Sequence, residues 1–589
     1  MSPVALDVNQ NRTTVTLSEY VFRRILSLSV HSIFGVPGDF NLSFLECLMK
    51  LNEAKGSPLD ELHWYGTCNE LNGAYATDGY ARTTGKLGVL VTTMGVGELS
   101  AINGISGSFA EYVPILHIVG TTPTTAKGRG LANHHLVTNI SPLEKTDHYV
   151  YQRMAESVSC RVESIVDPAD APNQIDDLIA TILTEKKPGY LYIPCNLATL
   201  PVDASNLISR QGMSFYERSP VGSREKIEEI TDLILEKVYE ASRPCIIADG
   251  LVDRFGLTKD LRRLVSISNL PNSNTPMGKS LLNELGDYYV GDFIGDESAK
   301  QTASYVRACD LLLHFGNFDN ETNSGHFSTH KGFEEDSGKT LILLNPRYIK
   351  VGSRLFNGYS VEDVLPLLLS RINTDRLPVV AKPNISAEIE NIPSCTPISE
   401  TDILELLKET LRDGDTLVVE TGSLLYGMAD VRLPDGCKMI SQPFYLSIGM
   451  GLPCSFGASI AKRELGDKGR LILVEGDGAA QMTIQELSNY NREGLNPLIL
   501  VLNNEGYTVE RAIKGPTREY NDIRPNWKWT QILDSFGVKN KSRRVDELED
   551  LKTAMEEFGD DSSCARLIEI GLDKLDVPWR FNCMLGGYE

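Results

Sequence analysis

Two short apolar runs carry the most chemistry in this chain. Arg470–Glu475 leads into Gly476-Asp477-Gly478, and Leu498–Leu502 leads into Asn503-Asn504-Glu505-Gly506-Tyr507. Both runs read as buried parallel strands. The stretch between them reads as a helix, with Ala480, Ile484, Leu487 and Tyr490 on one face. Asp477 and Asn504 then sit at the carboxyl ends of neighbouring strands, the edge where parallel sheets bind ligands. Both are oxygen ligands. With a backbone carbonyl near Gly506, a water and phosphate oxygens, they complete the octahedron that magnesium demands. The glycines let backbone approach a phosphate closely, and a helix start turns free N–H groups and a positive dipole end toward it.

Other ionisable groups sit at strand ends and helix starts. Asp39 lies in Gly35-Val36-Pro37-Gly38-Asp39-Phe40-Asn41, Glu70 in Thr67-Cys68-Asn69-Glu70-Leu71-Asn72, and the pair His134-His135 in Leu131-Ala132-Asn133-His134-His135-Leu136. Glu510 follows Asn504 on a further helical segment. Each has a plain alternative. Asp39 suits a helix cap, Glu70 an acid of a first turn, and Glu510 a surface partner of Arg511 or Lys514. Ile448, in Ser441-Gln442-Pro443-Phe444-Tyr445-Leu446-Ser447-Ile448-Gly449, suits a core position as well as a ligand wall.

The elements that must position these groups fall into three blocks of alternating strand and helix, the pattern of parallel sheets covered by helices. The expected domains are residues 1–200, 220–375 and 395–589. In the first, strands are expected at Ser32–Val36, Val89–Thr93, Ile115–Val119 and Tyr190–Ile193, with helices at Asn69–Arg82 and Gly97–Glu111. The second offers strands at Cys245–Asp249, Asp310–Phe315 and Thr340–Leu344 after a charged spacer that includes Ser219–Glu229. The third adds Thr416–Glu420 after a proline-bearing linker, Asn373–Ser399. With 589 residues, more than one core is required, since a single core stops growing at about 250–300 residues.

Bulk composition excludes several classes. The net charge is −22, and the basic pairs Lys186-Lys187 and Arg262-Arg263 are isolated among acids, so no nucleic-acid footprint is expected. No apolar run reaches membrane-spanning length. The N-terminal MSPVALDVNQNR lacks the order of a secretory signal, and the 11 cysteines are scattered without a Cys-x-x-Cys pair. A cytoplasmic location is expected.

Long stretches resemble one family: GVPGDFNLS, GTCNELN, GVGELSAINGISGSFAE, GDGAAQMTIQEL and NNEGYTVERAIKGPTREYND. They are similar to the thiamine diphosphate-dependent 2-oxo acid decarboxylases of the pyruvate decarboxylase family, and within it to the fungal phenylpyruvate (broad 2-oxo acid) branch. The resemblance implies an α/β fold of three parallel-sheet domains: pyrimidine-binding, central and diphosphate-binding. It implies thiamine diphosphate and Mg2+ as cofactors, with Asp477, Asn504 and Gly506 at the metal. Glu70, Thr421, Gly422, Leu446, Ile448, Gly478 and Ala479 would complete the cofactor contacts. Glu70 would hydrogen bond N1′ of the aminopyrimidine, and Ile448 would prop the bent cofactor. Asp39, Glu70, His134, His135 and Glu510 would be the catalytic set. The family also implies a homodimer or homotetramer with active sites between subunits, and no flavin. The substrate would be a small 2-oxo acid, and overall resemblance favours phenylpyruvate and other amino-acid-derived acids. Leu424, Leu425 and Tyr426 stand where pyruvate-specific relatives carry small residues. Two alternatives stay open: a pyruvate decarboxylase of fermentation, and a thiamine-sensing regulatory protein.

Overall fold

Leucine-, isoleucine- and valine-rich runs of four to seven residues, buried on both faces, build the sheets. The computed structural model describes residues 13–53, 61–141, 143–209, 222–386, 389, 397–523 and 527–585. They form two units, Met1–Arg218 with Leu452–Asp467, and Ser219–Gly451 with Lys468–Glu589.

The first unit holds a six-stranded parallel sheet. Its order is His63–Gly66, Ser32–Gly35, Gly88–Thr93, Ile115–Thr121, Gly189–Pro194, Arg161–Ser164. Helix Glu70–Thr84 starts at Asn69, whose Oδ1 accepts the Asn72 N–H at 2.8 Å, and stops at Gly85 with φ +68°. It packs closely on helix Val96–Ala110, because a Cβ at Gly104 would lie 2.6 Å from that of Ala74. Helix Gly451–Leu465 is drawn onto this unit from Leu452 onward: the Tyr80 hydroxyl donates to Glu464 at 2.7 Å.

The second unit holds two six-stranded sheets. One is wholly parallel, ordered Lys438–Ile440, Thr416–Val419, Leu471–Gly476, Leu498–Asn503, Ala565–Gly571, Asn540–Val545. The other runs Asn272–Asn274, Pro244–Ala248, Leu311–Phe315, Thr340–Leu344 in parallel, then turns back through Tyr348–Val351 and Arg354–Asn357 as an antiparallel edge.

Three expectations change. The charged spacer is largely a helix, Arg224–Glu240, capped by Ser223; its Ile227, Ile230, Ile234 and Val238 are buried beneath the charges. The helix after Asp477 breaks into Asp477–Thr483, one 3-10 turn over Ile484–Glu486, and Leu487–Glu493. Of the expected linker, residues 387–388 and 390–396 lie outside the described residues; the rest holds one 3-10 turn, Thr374–Arg376, and Ser399 caps helix Glu400–Thr410.

Candidate active site

In the first unit, Asp39 sits on a turn fixed by Asn41. The Asn41 Oδ1 accepts the Gly38 N–H at 2.9 Å, and its Nδ2 donates to Val36 O at 3.1 Å. Asp39 Oδ2 lies 2.5 Å from His134 Nε2, with both side chains about half exposed at 49% and 60%. Phe40 lies flat against the His134 ring at 4.9 Å, and the His135 ring stands edge-on to His134 at 4.7 Å. The histidine loop is anchored from below. Tyr151 donates its hydroxyl to His135 O at 2.8 Å, and His148 bridges Leu131 O at 2.9 Å and the Thr122 hydroxyl at 2.8 Å. Leu131 O only accepts, so His148 donates from Nε2 and receives at Nδ1. His135 has φ +68°, a left-handed backbone that the Tyr151 bond helps to hold.

Glu70 opens its helix and is half-buried. Its Oε1 would lie 2.9 Å from a Cβ at Gly97, so glycine there leaves the carboxylate its place.

In the second unit, a cleft of about 990 Å³ is lined by Thr421, Gly422, Leu446, Ile448, Asp477, Gly478, Ala479, Asn504, Gly506 and Glu510 together. Every residue expected in the diphosphate-binding part therefore opens into one space. Ile448 is 38% exposed rather than core. Leu446 is held at φ +55°, where the Gln442 carbonyl accepts its N–H at 3.2 Å and the Gln442 side chain takes that of Ser447 at 2.8 Å. A Cβ at Gly422 or Gly476 would meet no atom, so bare backbone faces open space at both.

The oxygen ligands converge. With the Asn504 amide oxygen turned inward, it lies 3.2 Å from Asp477 Oδ1 and 2.7 Å from Gly506 O. Adjacent oxygens around octahedral magnesium lie about 2.9 Å apart, so the three fit such an ion. Turned the other way, the amide nitrogen donates to the same two oxygens and its oxygen accepts from the Thr508 hydroxyl at 2.8 Å. Burial pushes the Asp477 carboxyl up to about 7, against the pull of the Gly478 N–H and of Arg511. Gly506 has φ +142°, and a Cβ there would lie 2.1 Å from Asn521 O, so only glycine fits. Arg511 clamps this turn, donating to Asn504 O at 2.9 Å and Glu505 O at 2.6 Å and pairing with Asp522 at 2.8 Å. Arg511 is thus committed elsewhere than to Glu510, which stands on helix Thr508–Lys514 at the cleft wall.

Comparison with known proteins gives the family. Models of the thiamine pyrophosphate enzymes match three stretches: the N-terminal TPP binding domain over residues 15–143, the central domain over 231–364 and the C-terminal TPP binding domain over 422–570. A transaminated amino acid decarboxylase of Saccharomyces cerevisiae is 37% identical, covering 99% of this chain and 98% of its own. This chain belongs to the thiamine diphosphate-dependent 2-oxo acid decarboxylases. Pyruvate decarboxylase isozyme 3 of Saccharomyces cerevisiae is 36% identical over 96% of each chain, and the pyruvate decarboxylase of Kluyveromyces lactis 35% over 96% of each. The solved structure of a thiamine diphosphate-dependent 4-hydroxybenzoylformate decarboxylase of Rhodococcus jostii shares the fold. Its TM-score is 0.74 at 18% identity, covering 95% of this chain and 99% of that one. As a family member the chain is a carboxy-lyase that uses thiamine diphosphate on 2-oxo acids.

The structure adds residues that sequence reasoning passed over. Glu400 and the pair Glu420 and Glu475 are buried carboxyls on the cleft wall. Glu420 was visible beside Thr421, but nothing in its spacing marked a partner at Glu475. Leu424 lines this cleft, Leu425 lines a separate cavity, and Tyr426 stands between the two.

Proposed function

We propose that this enzyme converts amino-acid-derived 2-oxo acids, phenylpyruvate among them, to aldehydes and carbon dioxide, with Mg2+ holding the cofactor diphosphate. The observation that carries the reading is the single cleft into which Asp477, Asn504, Gly506, Thr421, Ile448 and Glu510 all open. Its substrate side rests on the similarity to the transaminated amino acid decarboxylase, which spans 99% of this chain.

Asp477, Asn504 and the Gly506 carbonyl would hold the cation, and the bare backbone of Gly476 to Ala479 would receive the diphosphate. Thiamine diphosphate, when bound, supplies a cationic ring that stabilises the carbanion left by decarboxylation. The chain's own groups bind, orient and move protons. Glu70 would take a hydrogen bond at the aminopyrimidine N1′ and set its protonation. Ile448 would press on the cofactor from the cleft wall. Asp39 with His134 and His135 would deliver the proton that completes the aldehyde, the 2.5 Å contact joining Asp39 to His134. Glu510 would act beside the substrate carboxylate.

The resemblance to the pyruvate decarboxylase family supports a homodimer or homotetramer with active sites formed between subunits. No helix among the described residues is long and apolar enough to cross a membrane; the cytoplasmic assignment rests on the scattered cysteines without a Cys-x-x-Cys pair. The domain assignment is residues 1–200 for the pyrimidine, 220–375 for the central part and 395–589 for the diphosphate.

The test is aldehyde formation by the protein with thiamine diphosphate and Mg2+, comparing kcat/KM on phenylpyruvate and pyruvate. Higher kcat/KM on phenylpyruvate is expected. Preference for pyruvate would overturn the substrate and leave the decarboxylase. Bound cofactor without turnover on either acid would favour a sensing role.

A further inference from the structure

The central sheet carries a cluster that the decarboxylation reading does not use. His314, on strand Leu311–Phe315, is 1% exposed. Its Nε2 lies 3.2 Å from Asp249 Oδ2, and its Nδ1 lies 2.9 Å from His330 Nε2. Beyond His330, its Nδ1 is 3.8 Å from Asp319 Oδ2.

Asp249 decides the proton positions. It is fully buried, yet both oxygens are saturated by donors: the Thr275 hydroxyl at 2.6 Å, the Gly250 N–H at 2.6 Å, the Phe318 N–H at 2.8 Å and the Asn323 amide at 2.9 Å. A carboxylate so surrounded accepts only. His314 therefore donates from Nε2 and turns a bare Nδ1 lone pair toward His330. His330 Nε2 donates its one N–H to that lone pair until a dication takes the place of this proton; the His330 N–H then moves to Nδ1, on the Asp319 side, and His314 Nδ1 and His330 Nε2 are both bare as ligands.

We propose that His314, His330 and Asp319 form a binding site for a first-row transition-metal dication such as Zn2+, with Asp249 as the carboxylate that orients the first histidine. One ligand atom from each of the three lies within 4.8 Å of the others. Nitrogen ligands around tetrahedral zinc sit about 3.3 Å apart for metal–nitrogen distances near 2.0–2.1 Å, so the histidines need part by only a few tenths of an ångström. Asp319 is 37% exposed and His330 22%, so the site is open on one side for entry and for a water as fourth ligand. Two imidazoles and a carboxylate favour zinc, nickel or copper over magnesium and calcium, which take oxygen alone. A carboxylate behind a ligating histidine fixes its tautomer and raises its basicity. The segment that bears the site is tied to the cofactor cleft. The Thr322 hydroxyl donates to Pro443 O, and the Phe318 ring meets Phe444 edge-on at 5.2 Å, just before Leu446 and Ile448.

The experiment uses the full chain, stripped with chelator and then saturated with thiamine diphosphate and Mg2+. Co2+ is titrated in, followed by visible absorption and by metal count after dialysis. One equivalent with an intense nitrogen-ligand spectrum is expected, displaced by Zn2+. His330→Ala and Asp319→Asn should each weaken it by at least about 10-fold. His134→Ala, which breaks the exposed Asp39–His134–His135 group, should leave it in place. No retained Co2+ in the native protein would overturn the site. So would retention unchanged by His330→Ala and Asp319→Asn, or retention abolished by His134→Ala. Should His330→Ala not fold, Asp319→Asn at the exposed rim decides.

Discussion

Glu475 turns its carboxyl toward that of Glu420 at the wall of the cofactor cleft, and only one of the two is supplied with donors. Glu420 accepts the N–H groups of Thr421 at 2.8 Å, Gly449 at 3.1 Å and Gly451 at 2.5 Å. Neither oxygen of Glu475 meets a donor among the described residues. Burial pushes the Glu420 carboxyl up to about 7, and burial together with the Glu420 charge holds Glu475 well above the carboxylate range. The two therefore share a proton, held by Glu475 and offered to Glu420. Through Glu420 this pair shapes the backbone that presents Thr421 and Ile448.

That shared proton predicts a pH-dependent stability. A raised folded-state pKa means that the native protein keeps a proton the unfolded chain gives up above about 4.3. Stability from the pair is complete below that value and is lost as pH rises through about 7. Glu475→Gln donates a hydrogen bond without titrating. The fall in urea-unfolding free energy from pH 5 to pH 8 should shrink by about 1–3 kcal/mol in this variant. An identical fall in both proteins would show that the pair is not protonated.

Cation binding at Asp477 should weaken in acid. Its carboxyl, raised to about 7 by burial, must be ionised to serve as a ligand. Joint affinity for Mg2+ and thiamine diphosphate should then drop about tenfold per pH unit below that value. Asp477→Asn should bind weakly at every pH. Titration calorimetry from pH 5.5 to 8 checks both; a flat affinity in the native protein would remove Asp477 from the metal.

How much of this was legible in the sequence depends on burial symmetry. Strands covered on both faces, such as Gly88–Thr93 and Leu498–Asn503, announce themselves as unbroken apolar runs. Two edge strands went unseen: Asn540–Val545 is polar because an edge strand need bury little, and Asn272–Asn274 is polar although buried, its side chains hydrogen bonded to Leu270 O, Gly291 O and Glu284. Ala565–Gly571 is central, yet Arg566 and Glu569 interrupt its pattern. Asp477, Gly478, Asn504 and Gly506 stood out because glycines and oxygen-bearing side chains recur at strand ends, whereas Thr421, Leu446 and Ile448 rested on the family resemblance alone. The carboxyl pair and the Asp249–His314–His330 chain were not legible, since each joins residues distant in sequence through side-chain burial alone.

Glu70→Gln separates folding from catalysis. The side chain is half-buried beside Gly97, and glutamine matches its shape. Unfolding midpoints should match those of the native protein, while kcat falls by about 10³-fold or more. Near-native turnover would remove Glu70 from the mechanism.

Asp39 and His134 should behave as one device. Their 2.5 Å contact couples them, so Asp39→Asn and His134→Ala should each slow turnover by about 10²-fold with cofactor affinity intact. The double variant should be little slower than either, because losses within one unit do not add. Multiplicative losses in a double-mutant cycle would show separate roles.

Glu400 is expected to work as a neutral acid. Its Oε1 accepts the Ser423 hydroxyl at 2.6 Å, while Oε2 is buried without a partner on the wall of the cleft. Burial, with the nearby Asp576 charge adding to it and the Ser423 bond opposing it, pushes this carboxyl up to about 8. At pH 7 the proton stays on, and Oε2–H is a donor available to whatever fills the cleft. Ionisation above that pKa removes the donor and buries a charge, so kcat/KM should decline as pH rises past about 8. Glu400→Gln keeps a donor that does not titrate. It should hold activity within about threefold at pH 7 and extend the plateau to higher pH, whereas Glu400→Leu should lose about tenfold or more at all pH values. The kcat/KM profiles from pH 6 to 9.5 distinguish these outcomes, and a glutamine profile that falls where the native one does would assign the alkaline limb to another group.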